Sequence, residues 1–156
     1  QGTKRKFPDE DMITVDLTLR YKGYVSDATR TFGLGSISKE VRTVYEIVKE
    51  SQKAGLKAVR PQKTCASVDD ACRKIITEYS YGPHFIHSTG HGIGLNVHEN
   101  PNISGKSKEK LKKDMAITVE PGIYIPKKFG VRIEDSLIVK DRAAVMHKFT
   151  KDLIVI

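Results

Sequence analysis

The feature that most constrains this chain is a short repeat of two strand-like segments that each end in an acid. The segment DMITVD, which ends at Asp16, recurs as DMAITVE, which ends at Glu120. A second acid follows on the next strand-like segment, Asp27 after the first copy and Glu134 after the second. Because buried strand faces are normally apolar, these acids predict two paired-strand units that direct carboxylates toward a common site.

The first of these units is predicted to be a β-hairpin. Apolar and polar residues alternate over residues 12–19, which indicates a half-buried strand. Its buried face is expected to carry Ile13, Val15, Leu17 and Leu19. Residues 21–24 predict a turn, residues 25–32 a returning strand, and the glycines within 33–35 the end of that strand.

Two amphipathic helices are expected after the hairpin. The first begins at Ser38 and ends at Arg60 and Pro61. Its buried side is expected to hold Val41, Val44, Tyr45, Val48, Leu56 and Val59. The second begins at Ser67, which together with Asp70 would satisfy exposed amides of the first turn. Its buried side is expected to hold Val68, Ala71, Cys72, Ile75, Ile76 and Tyr79.

The C-terminal part is predicted to return to β structure. A short basic helix is expected near residues 108–113, followed by strands over 115–124 and 131–139 that are separated by a turn at 126–130. Helices that lie between two strand-rich parts indicate an α+β domain. One domain accounts for all 156 residues, since a chain of this length can bury a core of its own.

Composition narrows the partners and the compartment. The net charge is +8, but the basic residues are scattered, and the cluster within 104–113 has no aromatic residues that could stack on bases. We therefore expect neither nucleic acid nor a membrane as the main partner. Cys65 and Cys72 would lie about 10.5 Å apart on one helix, too far for a disulfide. Two separate buried thiols suit a reducing compartment, and we expect the cytoplasm.

The N-terminus gives one further expectation. The chain has no apolar run of about 18 residues, and its first residues, QGTKRK, lack the apolar stretch of a secretory signal. It also begins without a methionine. We therefore expect it to be a processed or cut piece of a longer protein.

Four acids that meet in a core predict a cation between them. Carboxylates without a counter-charge repel one another and lose their hydration, and divalent cations would offset both penalties. Each acid taken alone has an ordinary alternative, in a turn, at a strand edge or at a solvated strand end. Together with the repeat, a shared metal site explains them better. His91, which lies among glycines in the stretch GHGIG, is the fifth candidate ligand.

This ligand set favours hydrolytic metal chemistry. Four carboxylates and one imidazole suit Mn²⁺, Co²⁺ or Fe²⁺, whereas a structural zinc site is richer in thiolates. Two metals bridged by carboxylates can hold a water between them, lower its pKa and polarise a carbonyl. The chain has no GxSxG motif and no phosphate-binding loop, so serine-hydrolase and nucleotide-hydrolase interpretations have no local support.

Four motifs follow one another along the chain behind Asp16: DATRTF from Asp27, GHGIGLNVHENP from Gly90, TVEPGIY from Thr118 and VRIED from Val131. In this order they resemble the pita-bread metallopeptidases, which include methionine aminopeptidase, Xaa-Pro aminopeptidase and Xaa-Pro dipeptidase (prolidase). The resemblance covers nearly the whole chain. It implies an α+β pita-bread (creatinase/aminopeptidase-like) fold in which residues 1–156 are the C-terminal portion of a single catalytic domain, without the N-terminal part of its first half.

The resemblance also implies roles for the five ligands. Asp27 and Glu134 would bridge two divalent metal ions, Asp16 would bind one of them, and His91 with Glu120 would bind the other. Mn²⁺ or Co²⁺ are the expected ions, with Fe²⁺ or Zn²⁺ as alternatives. Glu120 would in addition accept a proton from the bridging water as this water attacks the scissile carbonyl.

Three further catalytic residues are implied by the resemblance. His87 and His98 would lie around the substrate, where an imidazole N–H can steady the tetrahedral oxyanion or the leaving nitrogen. Arg132 would orient a carboxylate or the C-terminus of the substrate, the alternative being a strand arginine paired with an acid. A substrate-contacting histidine that the family carries upstream of the first hairpin has no counterpart here, so activity of the 156 residues alone is not implied.

The branch of the family is indicated by fewer residues. The segments GVRIED and EPGIYI are similar to the proline-specific peptidases, so we expect a metallopeptidase that hydrolyses Xaa-Pro bonds of dipeptides or short peptides through a metal-bridging water or hydroxide. The motif around His91 favours prolidase over Xaa-Pro aminopeptidase, and the family suggests a homodimer. The alternative is a non-catalytic peptide- or nucleic-acid-binding pita-bread fragment. Such relatives have lost the metal ligands, whereas this sequence retains all five.

Overall fold

The computed structural model describes residues 4, 6–8 and 10–156, and these residues form two helices and nine strands. The helices are α1 (Lys39–Ala58) and α2 (Cys65–Glu78). The strands are β1 (Glu10–Tyr21), β2 (Tyr24–Gly35), β3 (Gly90–Gly92), β4 (Glu99–Ile103), β5 (Ala116–Val119), β6 (Gly122–Ile125), β7 (Phe129–Arg132), β8 (Asp135–Val139) and β9 (Ala143–Val145). A 3₁₀ turn, Gly82–His84, follows α2. The expectation of an α+β domain is confirmed.

Strands β1 and β2 form the predicted antiparallel hairpin. Asp16 lies opposite Thr29, and Thr18 lies opposite Asp27. Because side chains two positions apart share a face of a strand, the two acids lie on the same face of the hairpin. The turn between the strands includes Gly23 with a φ of +89°, a conformation that tight two-residue turns require and glycine adopts without strain.

Strand β2 extends beyond its predicted end. The glycines within 33–35 do not end it, and it continues to Gly35. The backbone N–H of Gly33 donates to the carbonyl of Ile154 (2.9 Å), and that of Gly35 donates to Ile156 (2.8 Å). The C-terminal residues thus supply the hydrogen-bond partners of a neighbouring strand, which keeps these glycines extended despite their low strand propensity.

The second half of β1 is not buried, contrary to prediction. Leu17 and Leu19 are 52% and 66% exposed, whereas Ile13 and Val15 are half-buried. Among the described strands β1 pairs only with β2, and the helices pack mainly against other strands. The alternation therefore predicts the strand correctly, but not the burial of its outer half.

Helix α1 begins and ends as predicted. Ser38 is its N-cap, with Oγ accepting a hydrogen bond from the N–H of Val41 (3.3 Å). Four of the residues predicted for its inner side are fully buried: Val44, Tyr45, Val48 and Val59. The helix approaches the sheet closely at Gly55, where a Cβ atom would lie 2.9 Å from Val119.

Helix α2 begins earlier than predicted. Thr64 is its N-cap, because Thr64 Oγ1 accepts from the N–H of Ser67 (3.2 Å) while the Ser67 hydroxyl donates to the Thr64 carbonyl (2.7 Å). The predicted cap at Ser67 with Asp70 is therefore wrong, since Ser67 lies inside the first turn. Tyr79 follows the last turn and is 50% exposed, so its predicted burial is also wrong.

Five strands form an antiparallel sheet in the order β4-β3-β5-β8-β9, and β6 with β7 forms a separate two-stranded ribbon. The helices pack against this sheet and bury Cys65 and Cys72 as free thiols, as predicted. Burial raises the pKa of Cys72 to about 12, so this thiol is unreactive at neutral pH. In the described part of the chain no helix is both long and apolar enough to cross a membrane.

The basic segment 108–113 is extended and not helical. Leu111 donates its N–H to the carbonyl of Lys63 (2.9 Å), and its own carbonyl accepts from Gln62 (2.8 Å). The carbonyl of Glu109 accepts from the N–H of Cys65 (2.8 Å). Because these backbone groups are bonded to the connection between α1 and α2, they are not available for a helix, and the predicted short basic helix is wrong.

The strands predicted over 115–124 and 131–139 are each divided in two, at Glu120 and at Glu134. Glu120 is followed by a proline, which has no N–H to donate to a neighbouring strand. The N–H of Glu134 donates to the carbonyl of Thr29 on β2 (3.1 Å). The two acids therefore lie where the chain passes between the five-stranded sheet and the ribbon.

Candidate metal centre

Three of the predicted ligands meet where the hairpin, the sheet and the ribbon join. Asp27 lies on β2, His91 on β3, and Glu134 in the break between β7 and β8. Each offers one ligand atom, and the three atoms all lie within 4.8 Å of one another. Residues far apart in the sequence thus direct two carboxylates and an imidazole to one point.

His91 presents one ring nitrogen to this point. Its Nδ1 donates to the carbonyl of Gly92 (2.9 Å), a second contact of the kind that orients metal-binding histidines. Its Nε2 lies 3.2 Å from Oε1 of Glu120 and 4.0 Å from Oδ2 of Asp27. Burial alone would lower the pKa of His91, but the hydrogen bonds to Glu120 and Gly92 outweigh burial and raise it. The centre therefore already favours a positive charge at this nitrogen.

Thr118, to which the sequence motifs assign no role, orients Glu120. The Thr118 hydroxyl donates to Oε1 of Glu120 (3.0 Å) and accepts from the backbone N–H of His91 (3.1 Å). The backbone N–H of Glu120 donates to the carbonyl of Thr89 (2.7 Å). The signal for Thr118 is its position two residues before Glu120, because side chains two apart on a strand share a face.

Glu134 is almost completely buried, and only one of its two carboxylate oxygens has a hydrogen-bond partner among the described residues. Its Oε2 accepts from the hydroxyl of Thr29 (2.5 Å), another residue that the sequence motifs leave without a role. Its Oε1 is buried and has no hydrogen-bond partner among the described residues. Burial, followed by the charge of Glu120, raises the pKa of Glu134 from its usual 4.5 to about 8. A buried acid with these properties fits a site built around a cation.

Asp16 lies at the rim of the cluster. Its side chain is 47% exposed, unlike the core position expected from the repeat, and its Oδ2 accepts from Nη2 of Arg132 at 2.6 Å. Burial is the main cause that raises the pKa of Asp27, and the negative charge of Asp16 is the second cause. Of the two alternatives expected for Arg132, this ion pair is the one in which a strand arginine pairs with an acid.

Tyr124 links His87 to Arg132, although the sequence motifs assign it no role. Its hydroxyl oxygen accepts from Nη1 of Arg132 (3.0 Å), so its own proton is directed to Nε2 of His87 (2.9 Å). Nδ1 of His87 then carries the proton that is donated to the carbonyl of Ser88 (2.8 Å). Both ring nitrogens of His87 are occupied, so in this arrangement it offers no N–H to a substrate.

The cluster opens into a polar cleft of ≈ 850 Å³. Five predicted site residues line the cleft: His87, His91, His98, Glu120 and Arg132. The ring of His98 lies beside that of His91, with 4.3 Å between the centroids. Asp27 and Glu134 are buried behind this lining. All eight predicted site residues thus belong to one region, while their ligand and catalytic roles stay predictions.

A substitution at Gly90 is expected to disturb this centre from its backbone. A Cβ atom at Gly90 would overlap the carbonyl oxygen of Thr118, so β3 and β5 cannot keep their present separation in Gly90→Ala. We expect a loss of about 1–3 kcal/mol of unfolding free energy, typical of overpacking, together with weaker metal binding at the adjacent His91. Thermal unfolding and metal titration would measure both effects, and an unchanged variant would contradict this close packing.

Two relatives with similar sequences are named as Xaa-Pro peptidases. The pattern of metallopeptidase family M24 matches residues 1–141. The Xaa-Pro dipeptidase of Pyrococcus furiosus is 48% identical over 134 residues, which cover 86% of this chain and 38% of that protein. A putative Xaa-Pro aminopeptidase of Mycoplasma pneumoniae is 43% identical over 145 residues, which cover 92% of this chain and 41% of that protein.

A solved prolidase structure has the same fold as this chain. A recombinant prolidase from Thermococcus sibiricus superposes with a TM-score of 0.97 at 43% identity, covering 100% of this chain and 43% of that chain. The expected pita-bread fold is confirmed, in a chain that spans about two fifths of the length of these relatives. The motifs, the fold and the family pattern agree, and the chain belongs to metallopeptidase family M24.

Proposed function

We propose that this chain is the C-terminal portion of a catalytic domain that hydrolyses Xaa-Pro bonds with the help of two divalent metal ions. The observation that carries the proposal is the buried Oε1 of Glu134, which lies beside Asp27 and His91 and has no hydrogen-bond partner in the described part of the chain. Such an oxygen is costly unless a proton or a cation meets it. Membership of a metallopeptidase family makes a metal ion the expected cation.

The donors fit hard divalent ions. Asp27 and Glu134 would bridge the two ions, Asp16 would bind one, and His91 with Glu120 would bind the other. Carboxylate oxygens with one imidazole suit Mn²⁺ or Co²⁺, with Fe²⁺ or Zn²⁺ as alternatives. Bound there, the ions would activate a water for attack and polarise the scissile carbonyl.

The side chains of the cleft supply the remaining chemistry. Glu120, held by the Thr118 hydroxyl at 3.0 Å, would accept the proton of the attacking water. His98 would donate an imidazole N–H to the oxyanion or to the leaving nitrogen. His87 would do the same only after exchanging its hydrogen bond with Tyr124 for one with the substrate. Arg132 would orient Asp16, to which it is bonded at 2.6 Å.

Dipeptides or short peptides with an Xaa-Pro bond are the proposed substrates. The names of the relatives support this class, and they include both a dipeptidase and an aminopeptidase. Two buried free thiols fit a reducing compartment, so we place the protein in the cytoplasm. A homodimer is part of the proposal, and sedimentation velocity would test it.

The decisive experiment combines metal content with hydrolysis. The chain is incubated with Mn²⁺, freed of excess metal, and measured by elemental analysis and for cleavage of a Met-Pro dipeptide and a longer Xaa-Pro peptide. About two ions per chain with turnover is the expected result, and the preferred length identifies the branch. Glu120→Gln is the matched variant that keeps the side-chain shape but removes the proton acceptor, and it should fold normally and lose turnover.

Other outcomes would contradict parts of the proposal. Metal uptake without turnover would show that these residues alone bind metal but do not catalyse the reaction. Full turnover in Glu120→Gln would contradict the proton role of Glu120. A chain that takes up no metal and binds DNA with steep salt dependence would favour the non-catalytic alternative, for which the net charge of +8 is the supporting observation.

A further inference from the structure

An ion pair on α2, between a buried carboxylate and an arginine whose side chain is 36% exposed, lies outside the metal centre and has no role in the chemistry described so far. Asp69 is fully buried, and its Oδ2 accepts from Nε of Arg73 one helical turn later at 2.6 Å. The residues around it on the buried face of α2 are mainly apolar: Cys65, Val68, Cys72 and Ile76. Burying the Asp69 carboxylate in such a face carries a desolvation cost that a well-packed apolar side chain would avoid.

Arg73 directs its remaining donors to the segment that carries His87. Nη1 donates to the carbonyl of Phe85 (2.9 Å), and Nη2 donates to the carbonyl of His87 (2.5 Å). The guanidinium also lies over the ring of Phe85, 4.1 Å from its centroid. The Phe85 and His87 rings pack in a T-shaped arrangement with 5.2 Å between their centroids. Arg73 thus contacts both the backbone of His87 and the aromatic ring against which its imidazole packs.

Asp69 binds the other end of the same segment. Its Oδ1 accepts from the hydroxyl of Thr89 (2.7 Å) and from the backbone N–H of Thr89 (3.3 Å). The carbonyl of Thr89 in turn accepts from the N–H of Glu120 at 2.7 Å. The backbone of Thr89 therefore links the Asp69 carboxylate to the backbone N–H of Glu120 through two hydrogen bonds.

We propose that Asp69 and Arg73 are positioning residues that hold the segment from Phe85 to Thr89 and thereby fix the tautomer of His87 and the placement of Glu120. The segment lies between the 3₁₀ turn and β3 and is assigned to no helix or strand. Within the described residues only the backbone of its last member, Thr89, is bonded to neighbouring strand segments, through its N–H to the carbonyl of Ile103 (2.9 Å) and through its carbonyl to the N–H of Glu120 (2.7 Å). The planar guanidinium is suited to this task because its fixed fork can reach two carbonyls and one carboxylate together, which a lysine cannot do.

The consequence for catalysis rests on the proposed function, but the placement of His87 does not. With the His87 carbonyl held by Arg73, the imidazole reaches both the Ser88 carbonyl and the Tyr124 hydroxyl. Without that bond the segment can shift. The imidazole would then lose one of its two partners and exchange between its tautomers.

The test compares three variants of α2 in the full chain. Arg73→Met removes the fork, Arg73→Lys keeps the charge without the fork, and Lys74→Met is the control on the exposed side of the same turn. Long-range ¹H–¹⁵N correlations of the histidine rings in the metal-free chain report the protonated nitrogen of His87. The wild type and Lys74→Met should show a single tautomer protonated at Nδ1, whereas Arg73→Met and Arg73→Lys should show a mixture.

Activity and metal content separate this inference from the proposed function. Metal content should stay unchanged in Lys74→Met, and kcat for a Met-Pro dipeptide should fall about 10–100-fold in Arg73→Met, as for other residues that orient a site without touching substrate. If the wild type hydrolyses nothing, these residues alone do not catalyse the reaction, while the tautomer still tests the positioning role. A single Nδ1-protonated tautomer in Arg73→Lys, which keeps the ion pair and should fold, would overturn the inference.

Discussion

Replacing Glu134 by glutamine is expected to stabilise the metal-free chain at pH 8 and to abolish tight binding of divalent metal. The reason is that Glu134 is a buried acid whose pKa is raised to about 8, chiefly by burial and then by the charge of Glu120. Glutamine keeps the size and can still accept from the Thr29 hydroxyl, while its amide gives a donor at the position of the unpartnered oxygen. It cannot supply the negative charge with which Glu134, as a proposed ligand, would balance a divalent ion.

The direction of the pH dependence follows from the number of protons that the folded and the unfolded chain bind. Between pH 4.5, the usual pKa of a glutamate, and pH 8, the folded chain keeps a proton at Glu134 that the unfolded chain has released. Unfolding therefore becomes easier as the pH rises through this range. At 1.36 kcal/mol per pKa unit, Glu134 would lower the free energy of unfolding by as much as about 4 kcal/mol at pH 8. A bound dication would remove this penalty, so metal should stabilise the wild type most at high pH.

Urea unfolding at pH 6 and pH 8 after treatment with EDTA would measure this effect. His91, whose pKa is also raised, acts in the same direction. Because the charge of Glu134 contributes to that raised pKa, the difference between wild type and Glu134→Gln measures Glu134 together with its effect on His91. Glu50→Gln, at an exposed position of α1, is the matched control and should follow the wild type. A wild type whose stability is flat or rises from pH 6 to pH 8 would contradict the raised pKa. Calorimetric titration with Mn²⁺ would test the loss of binding.

The parts of the centre that local sequence patterns could predict are those that depend on strand periodicity. The repeat ending at Asp16 and Glu120 identified two acid-bearing units because an acid in an alternating apolar strand is unusual. The hairpin and both helices follow from the same kind of local pattern. In each of these elements the backbone conformation depends on nearby residues, so a short window of sequence was sufficient.

Long-range contacts account for what the sequence could not predict. Leu17 has the spacing of a buried residue but is exposed, because burial depends on which layer covers a strand. Segment 108–113 has helical composition but bonds to residues on either side of Thr64. The link from Tyr124 to His87 joins side chains 37 positions apart. None of these contacts produces a periodic pattern in a single sequence. The position of Thr118 two residues before Glu120, in contrast, matches the period of a strand.

The second large effect is expected at Asp135, directly behind the metal centre. Asp135 is fully buried and binds three donors: Arg30 Nη2 at 2.7 Å, Lys151 Nζ at 2.5 Å and Gln52 Nε2 at 2.9 Å. Burial alone would raise the pKa of Asp135, but the hydrogen bonds from Lys151 and Arg30 outweigh it and hold the pKa below its usual value. The carboxylate is therefore charged in the folded chain and balances two cations.

Asp135→Ala should cost about 3–5 kcal/mol of unfolding free energy, as does removing one partner of other buried ion pairs. The substitution leaves the Arg30 guanidinium buried without its carboxylate partner, and the Lys151 ammonium then faces this guanidinium with no negative charge from Asp135 between them. Arg30 also donates to the carbonyls of Thr29 (2.8 Å) and Glu134 (2.6 Å). A displaced guanidinium would therefore move the backbone of a proposed ligand, and metal binding should weaken along with stability.

Chemical unfolding and metal titration of Asp135→Ala and Asp135→Asn distinguish charge from shape. Asparagine keeps one carbonyl acceptor and most of the volume, so it should fold at permissive temperature even if the alanine variant does not, and it isolates the lost charge. Asp141→Ala, which removes an exposed acid just beyond β8, is the control for net charge and should lie within about 0.5 kcal/mol of the wild type. If Asp135→Asn matched that control in stability and in metal affinity, Arg30 would be held by backbone carbonyls alone and the carboxylate behind the centre would be dispensable.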